Sequence, residues 1–449
     1  MNRITQTRHY DHCSGIRQDP RCSGIAAIWL IVTVIMLFAF VALAVDVTFV
    51  TLTGRQLSAG ADSSALAAVA QVRRNQADAR AEAVTFAAAN LANTDAIQVD
   101  ANVDVTIGIY RRADRTFTPI TPDDLPNAVQ VDARRVDGSL GGPMPTIFAS
   151  MFGVNQINVE RTAIAMIRGD VGPGVIALHP NAGCTLDMRG TSGTFTVEGG
   201  VVQVNSNDDD AACHSGKPNM DVEEVYVVGG TDKKFEDQVD LEGELITGAD
   251  PIPDPLEDLP EPLPPSDSSV NFGDVSITGG THVLQPGLYN NLSITGGDVT
   301  LMSGLYYFTG EFKYNGGTVD ATAGVMLFIG PTGTLDVAGN GAFHIEGMVP
   351  IVYPDGPAVP ASVANIKVPI FQSRSNTSDA ELNGTSDWSI GGTVYIPQGT
   401  LLVRGTPGNP STLANGLIAG HIEVRGTADI TIDFQDQFPR LPRKVFLIE

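Results

Sequence analysis

Ser276-Ile277-Thr278-Gly279-Gly280 returns as Ser293-Ile294-Thr295-Gly296-Gly297, and Gly287-Leu288-Tyr289 returns as Gly304-Leu305-Tyr306, both displaced by 17 residues. Two separate echoes at one offset predict a repeating physical unit. Arg189-Gly190-Thr191, Arg404-Gly405-Thr406 and Arg425-Gly426-Thr427 also recur, the last two 21 residues apart. Rungs of this length, each with two or three short strands and tight Gly turns, predict a parallel β-helix-like solenoid. Within a rung, residues such as Val299, Leu301 and Leu305 point inward while Thr300 and Ser303 point out. One rung alone can neither satisfy its backbone hydrogen bonds nor bury its aliphatic row, so the rungs must stack.

The Gly-punctuated pattern begins near Gly174 and is assigned to residues 171–440. Within it, Asp250 to Pro265 holds seven Pro and five acidic residues with no Lys or Arg, so it runs extended and spans at most about 50 Å. It either separates two domains or crosses the face of one solenoid, and alternating runs on both sides favour the crossing. The Pro-rich stretch Val352 to Ala361 reads as a surface loop ahead of a strand at Ile366 to Phe371.

Upstream, Ile25 to Val45 is a run of 21 residues with no charge and one polar side chain, Thr33. Such a run, with Ile25, Trp29, Phe38 and Val45 along it, spans a bilayer as a single helix. Arg3, Arg8, Arg17 and Arg21 outweigh Asp11 and Asp19 before the run, and Asp46 follows it, which keeps the N-terminus in the cytoplasm. Two cleavage events compete with a retained anchor. Ala42-Leu43-Ala44 is a small-x-small site for a signal peptidase, although the apolar stretch exceeds the usual signal core. A prepilin peptidase would cut between Gly24 and Ile25, but Trp29 stands where pilins carry Glu.

The charge is lopsided. The first 24 residues carry +2 and the whole chain −24, leaving about −26 beyond the span, which excludes nucleic acid as a partner. With 48 Gly, 28 Pro and only 17% charged residues, the composition favours turn-rich β architecture over a helical enzyme. Cys13 and Cys22 precede the span and stay reduced. Cys184 and Cys213 lie beyond it, where they form either a disulfide or two separately buried thiols. A bridge would close a loop of about 30 residues and contribute about 3 to 4 kcal/mol.

No Pro interrupts Val47 to Leu91, so the spanning helix (25–50) is expected to continue as an Ala-rich helix over 51–94. Leu57, Ala61, Ala65, Ala68 and Val72 form a narrow small-residue stripe that packs either on another anchored helix or on this chain's next domain. Strand patterns at Val99 to Ile109, Val129 to Arg135 and Ile157 to Ile167, with a short helix at Pro145 to Phe152, predict a small α+β unit over 95–170. Arg111, Arg112, Arg134 and Arg135 sit either on solvated strand edges or against the acidic C-terminal region.

Cys22-Ser23-Gly24-Ile25-Ala26-Ala27, the span ending Ala42-Leu43-Ala44-Val45-Asp46-Val47, and Arg55-Gln56-Leu57-Ser58-Ala59-Gly60-Ala61-Asp62 followed by Ser63-Ser64-Ala65-Leu66-Ala67-Ala68 together resemble the N-terminal module of TadG-like and TadE-like proteins. The resemblance implies a part in assembling the bacterial tight-adherence (Flp) pilus. Phe117-Thr118-Pro119, Asn127-Ala128-Val129, Ala133-Arg134-Arg135 and Phe148 to Gly153 resemble the segment that follows it. Gln285-Pro286-Gly287-Leu288-Tyr289, Pro369 to Arg374 and Gly392 to Pro397 resemble the β-helical region of long TadG-like proteins.

The fold expected is therefore mainly β with N-terminal α. A cytoplasmic tail (1–24), one transmembrane helix, an Ala-rich helix, a small α+β domain, a solenoid and a C-terminal tail (441–449) follow in order.

No metal spacing exists among the His residues beyond the span, at 179, 214, 282, 344 and 421. A nucleophile elbow, a P-loop and a dinucleotide fingerprint are also missing from the sequence, so no catalytic residue, metal or cofactor is assigned. Asp208, Asp209, Asp210, Asp298, Asp320 and Asp336 are the carboxylates nearest to a saccharide-cleaving or calcium-binding arrangement. Three roles remain: an inner-membrane-anchored envelope component of pilus assembly or adhesion, an anchored carbohydrate-binding or polysaccharide-processing β-helix, and a polymerising pilin. Trp29 and the bulk of the C-terminal half count against the last. Partners would be the membrane, the pilus machinery or other anchored helices, and glycans.

Overall fold

The computed structural model describes residues 23–111, 115–121, 125–190, 192–217, 219–238, 244–384, 387–405, 411–426, 429–435 and 438–448. The tail carrying Cys13, Cys22 and its four Arg lies outside the described residues, as does Arg112.

Helix α1, Ser23–Val69, is 47 residues long, about 70 Å at 1.5 Å per residue. Its first half is bare: Trp29 and Phe38 are each 67% exposed and Val45 is 40% exposed. The Thr33 hydroxyl donates to the Trp29 carbonyl at 2.7 Å, which satisfies the one polar side chain of the run inside the helix. The helix is long and apolar enough to cross a membrane. Its second half is buried along one face, where the small-residue stripe Leu57, Ala61, Ala65, Ala68 packs within this chain's own core.

One continuous helix to residue 94 was the expectation, and the structure corrects it. The chain turns after Val69, and α2, Gln76–Ala88, begins where the Asn75 side chain accepts from the amides of Ala77 and Asp78. An Asn N-cap thus starts a new helix six residues beyond the end of α1, without any Pro. Helix α2 runs back along α1, as the Asn90 amide donating to Ser63 Oγ at 2.9 Å and the Asn93 N–H donating to Gln56 Oε1 at 2.7 Å show. Ala79, Ala83 and Ala87, at helical spacing of four, are fully buried against the stripe.

Both helices pack on a five-stranded antiparallel sheet of Thr116–Pro119, Val105–Arg111, Ala128–Arg135, Val159–Arg168 and Lys444–Ile448, in that spatial order. The last strand is a second correction. Residues 441–449 read as a tail, yet Lys444 to Ile448 pair with Arg168 to Ile164 and complete the N-terminal sheet. The short helix read at Pro145 to Phe152 shrinks to a 3-10 turn, Ala149–Phe152, because Pro145 pairs with Gln156 in a two-residue ladder.

The remainder is a solenoid-like body of stacked parallel strands. Val275, Leu292, Phe312, Leu335, Ala380, Leu401, Ile422, Leu186 and Ala212 stand in register from strand to strand as one apolar column. All but Val275 are buried. Parallel strands lie about 4.8 Å apart, so such a ladder is packed without gaps. The first echo stacks as its repeat predicts in its first two residues, Ser276 on Ser293 and Ile277 on Ile294, after which the register shifts by one and Thr278 pairs with Gly296. The second slips: Gly287 pairs with Tyr306, not Gly304. Because the slip is two residues, side chains keep their face, and the Tyr289 and Tyr306 rings still stack with centroids 5.8 Å apart.

Stacking order departs from chain order. Pro173–Ala177 enters at the middle of the body, and Val201–Val204, Glu224–Val227 and Glu244–Thr247 build outward to one end. The Pro-rich segment then crosses to the other end, where Asn271–Leu284 starts a second series that builds inward. Gly416–Gly426 closes the body by pairing with both Pro173–Ala177 and Leu186–Gly190. The crossing segment is fastened to one face: Leu256 and Leu259 are fully buried, Tyr395 donates to Asp254 at 2.6 Å, and Arg374 donates to the Leu256 carbonyl at 2.6 Å. Cys184 and Cys213 are joined by a disulfide at the corner of the first two rungs, their Cα atoms 4.9 Å apart.

Candidate functional site

The helix module meets the solenoid at the turn between α1 and α2. Turning there exposes Arg73 and Arg74 at the tip of a helical hairpin, and the Arg73 guanidinium is then buried against the first rungs. It donates to the Gly169 carbonyl at 2.6 Å, to the Pro126 carbonyl at 3.2 Å, to Glu223 at 3.0 Å and to Glu224 at 3.2 Å. Glu224 also accepts from the Tyr226 hydroxyl at 2.6 Å and the Gly169 amide at 3.1 Å.

Burial pushes the Arg73 guanidinium toward neutrality, but the charges of Glu224 and Glu223 outweigh it, so its pKa is raised. The Tyr226 phenol is pushed up by burial and by Glu224. Arg74 forms a two-pronged pair with Asp170 at 2.8 and 2.7 Å, Arg443 donates to the Ala70 carbonyl at 2.9 Å, and Arg168 donates to Glu244 at 2.7 Å. Six segments far apart in sequence are thereby tied into one joint. Beside it, a cleft of about 320 Å³ opens between the start of the Pro-rich segment and Pro439 to Pro442, with Gln203 and Tyr226 in its wall.

The arginines visible in the sequence are elsewhere. Arg134 pairs with Asp104, and Arg135 donates to the Gly142 carbonyl at 3.0 Å, both inside the small unit. Neither docks the C-terminal region, while Arg73 and Arg74, which do join it, lack any pattern that marks them. Only a helix break at Asn75 would have shown that they lie at a hairpin tip.

A second joint lies at the lower end of the module. Asp46, the first charge after the apolar run, is 4% exposed. Its carboxylate accepts from the amides of Ile147 at 3.0 Å, Phe148 at 3.0 Å and Ala149 at 2.6 Å. A buried carboxylate with three amide donors is well satisfied, and it fixes the loop to the helix.

The acidic candidates do not converge on a reactive centre. Asp208 accepts from the Asp210 amide at 2.9 Å in a local turn, Asp320 from Thr322 at 2.7 Å, and Asp336 from Lys313 at 2.7 Å. Among the described residues, no three His, Cys, Asp or Glu are grouped to hold a metal ion. Along one outer corner, Arg189, Arg425 and Arg404 stack in register, with Asp187 and Glu423 beside the first two and Glu381 paired to Arg404 at 2.9 Å. The Arg-Gly pairs of the three strings thus share one structural corner.

Residues 49–165 match the family model described as Tad-like Flp pilus-assembly. The match starts within the buried part of α1, takes in α2 and ends within the strand Val159–Arg168. No curated protein and no solved structure matches the chain.

Proposed function

We propose that this chain is a membrane-anchored component of Tad-type pilus assembly, of the TadG-like kind, that holds a non-catalytic β-helical body outside the bacterial inner membrane. A module matching the pilus-assembly family, joined to an apolar helix long enough to span, supports the anchored assembly role. The observation that carries the rest is the continuity of α1: one helix is bare and apolar in its first half and forms the core of the matched module in its second.

In this reading the α+β module is the adaptor, the solenoid is the presented part, and Arg73 with the strand Lys444–Ile448 holds the two in fixed relation. A body positioned this way can serve as a rigid spacer or an adhesive surface in the periplasm or beyond it. Purification of the tagged full chain from membranes tests the role. Co-isolation of the pilus-assembly ATPase and platform proteins is the expected result. Failure to co-isolate them, together with binding or cleavage of a polysaccharide by the purified chain, would replace it with the glycan role.

A further inference from the structure

Between Asp137 and Glu160 the chain carries no charged residue. The structure folds its centre into a hairpin, Met144 opposite Ile157 and Pro145 opposite Gln156, closed by the Thr146 amide donating to the Asn155 carbonyl at 3.1 Å. Its tip is apolar and bare. Met151 is 81% exposed, Phe152 76%, Ile147 51% and Val154 48%. Clustered exposed apolar side chains of this size mark a contact surface.

The position of the tip identifies what it touches. The apolar run Ile25 to Val45 rises about 31 Å, the thickness of a bilayer's hydrocarbon core, so Asp46 stands at the boundary between acyl chains and headgroups. Asp46 is the residue that holds the amides of Ile147, Phe148 and Ala149. The tip is therefore pinned to the helix at the level where the membrane ends. Phe and Met side chains on a segment that carries no charge of its own suit that layer, whereas an aqueous exposure of the same residues would be unfavourable.

We propose that the hairpin tip Ile147–Val154 inserts into the outer boundary of the same bilayer that α1 spans, making a second, lipid-contacting foot. This rests on the reading of α1 as a retained anchor. A single spanning helix leaves the module free to tilt and rotate about its own axis. Two points of contact set the direction in which the solenoid leaves the membrane.

The full chain with Cys13→Ser and Cys22→Ser, carrying Phe152→Cys labelled with an environment-sensitive fluorophore, tests this in nanodiscs that hold one copy each. Phe38→Cys in the span, read with lipids spin-labelled along the acyl chain, and Val283→Cys at the far end of the solenoid are the controls. Lipids spin-labelled near the headgroup are expected to remove about half of the emission at position 152, to quench none at 283, and to leave 152 sheltered from aqueous iodide. Quenching of 152 by iodide but not by lipid, with 38 still lipid-quenched, overturns the foot and leaves the anchor standing. Shelter from both quenchers means that protein covers the tip, which also overturns the proposal. If position 38 itself escapes lipid quenching, the anchor fails and the foot with it.

Discussion

Leu186 and Ile422 face each other in register on adjacent parallel strands. The same pairing of early and late rungs is seen where the Thr194 amide donates to Asp429, 235 residues further on, at 2.9 Å. The chain enters and leaves the body at its middle, next to the anchor module, and both free ends of the stack are built from the interior of the sequence. The late rung therefore does not cap the solenoid but bridges its two series.

Ile422→Ala removes a fully buried side chain at that bridge and is expected to lower stability by about 2 to 5 kcal/mol. Denaturant unfolding followed by far-UV circular dichroism should show one transition shifted as a whole. A stepwise loss confined to the C-terminal rungs would contradict the bridging arrangement.

Gly216 has φ of +113°, and a Cβ there would lie 1.7 Å from the Gly190 carbonyl oxygen on the neighbouring rung. Gly216→Ala should destabilise by about 2 kcal/mol or more, since strain and a backbone clash add. Gly248→Ala, at φ +68° with nothing within 4 Å, should cost about 1 kcal/mol. Thermal melts of the two variants against the parent give the comparison.

Arg73→Met leaves Glu223 and Glu224 facing a buried gap in charge, and a loss of about 3 to 5 kcal/mol is expected. Arg425→Ala, on a partly exposed pair with Glu423, should cost under about 1 kcal/mol. Limited proteolysis adds a second readout, because loosening the joint should separate the helix module from the solenoid in the first variant only.

His421 packs beside His179 with ring centroids 4.8 Å apart, and its pKa is lowered by burial and by His179, with Asp379 opposing. A lowered value means the unfolded chain binds the proton more readily. Its contribution to stability is complete above the ordinary His value of 6.5 and falls away as pH drops through the folded value. Melting temperature measured from pH 7.5 downward should fall more steeply in the parent than in His421→Gln; parallel curves would remove His421 as the cause.

What was legible in the sequence is what is local. Ser276 and Ile277 stand in register on Ser293 and Ile294 one rung away, so the start of their echo reports a real stacking register. The Arg-Gly pairs of the three strings were a trace of the closure, because Gly190, Gly426 and Gly405 stack in register and a side chain at Gly190 or Gly426 would meet the backbone of the next rung. Nothing local says that Arg189 belongs beside Arg425, since that pairing depends on how the Pro-rich segment returns the chain. Lys444 to Ile448 is too short and too weakly patterned to announce a strand until Val159–Arg168 offers it an edge. The break at Asn75 hid in an Ala-rich run with good helix propensity, and with it went the joint made by Arg73.

Protease protection of tagged termini in cells with a permeabilised outer membrane tests the central claim most directly, that one helix holds the whole body across the inner membrane. The predicted result is a C-terminal tag digested by external protease while the N-terminal tag stays intact until the inner membrane is dissolved. A C-terminal tag protected together with the cytoplasm would contradict it.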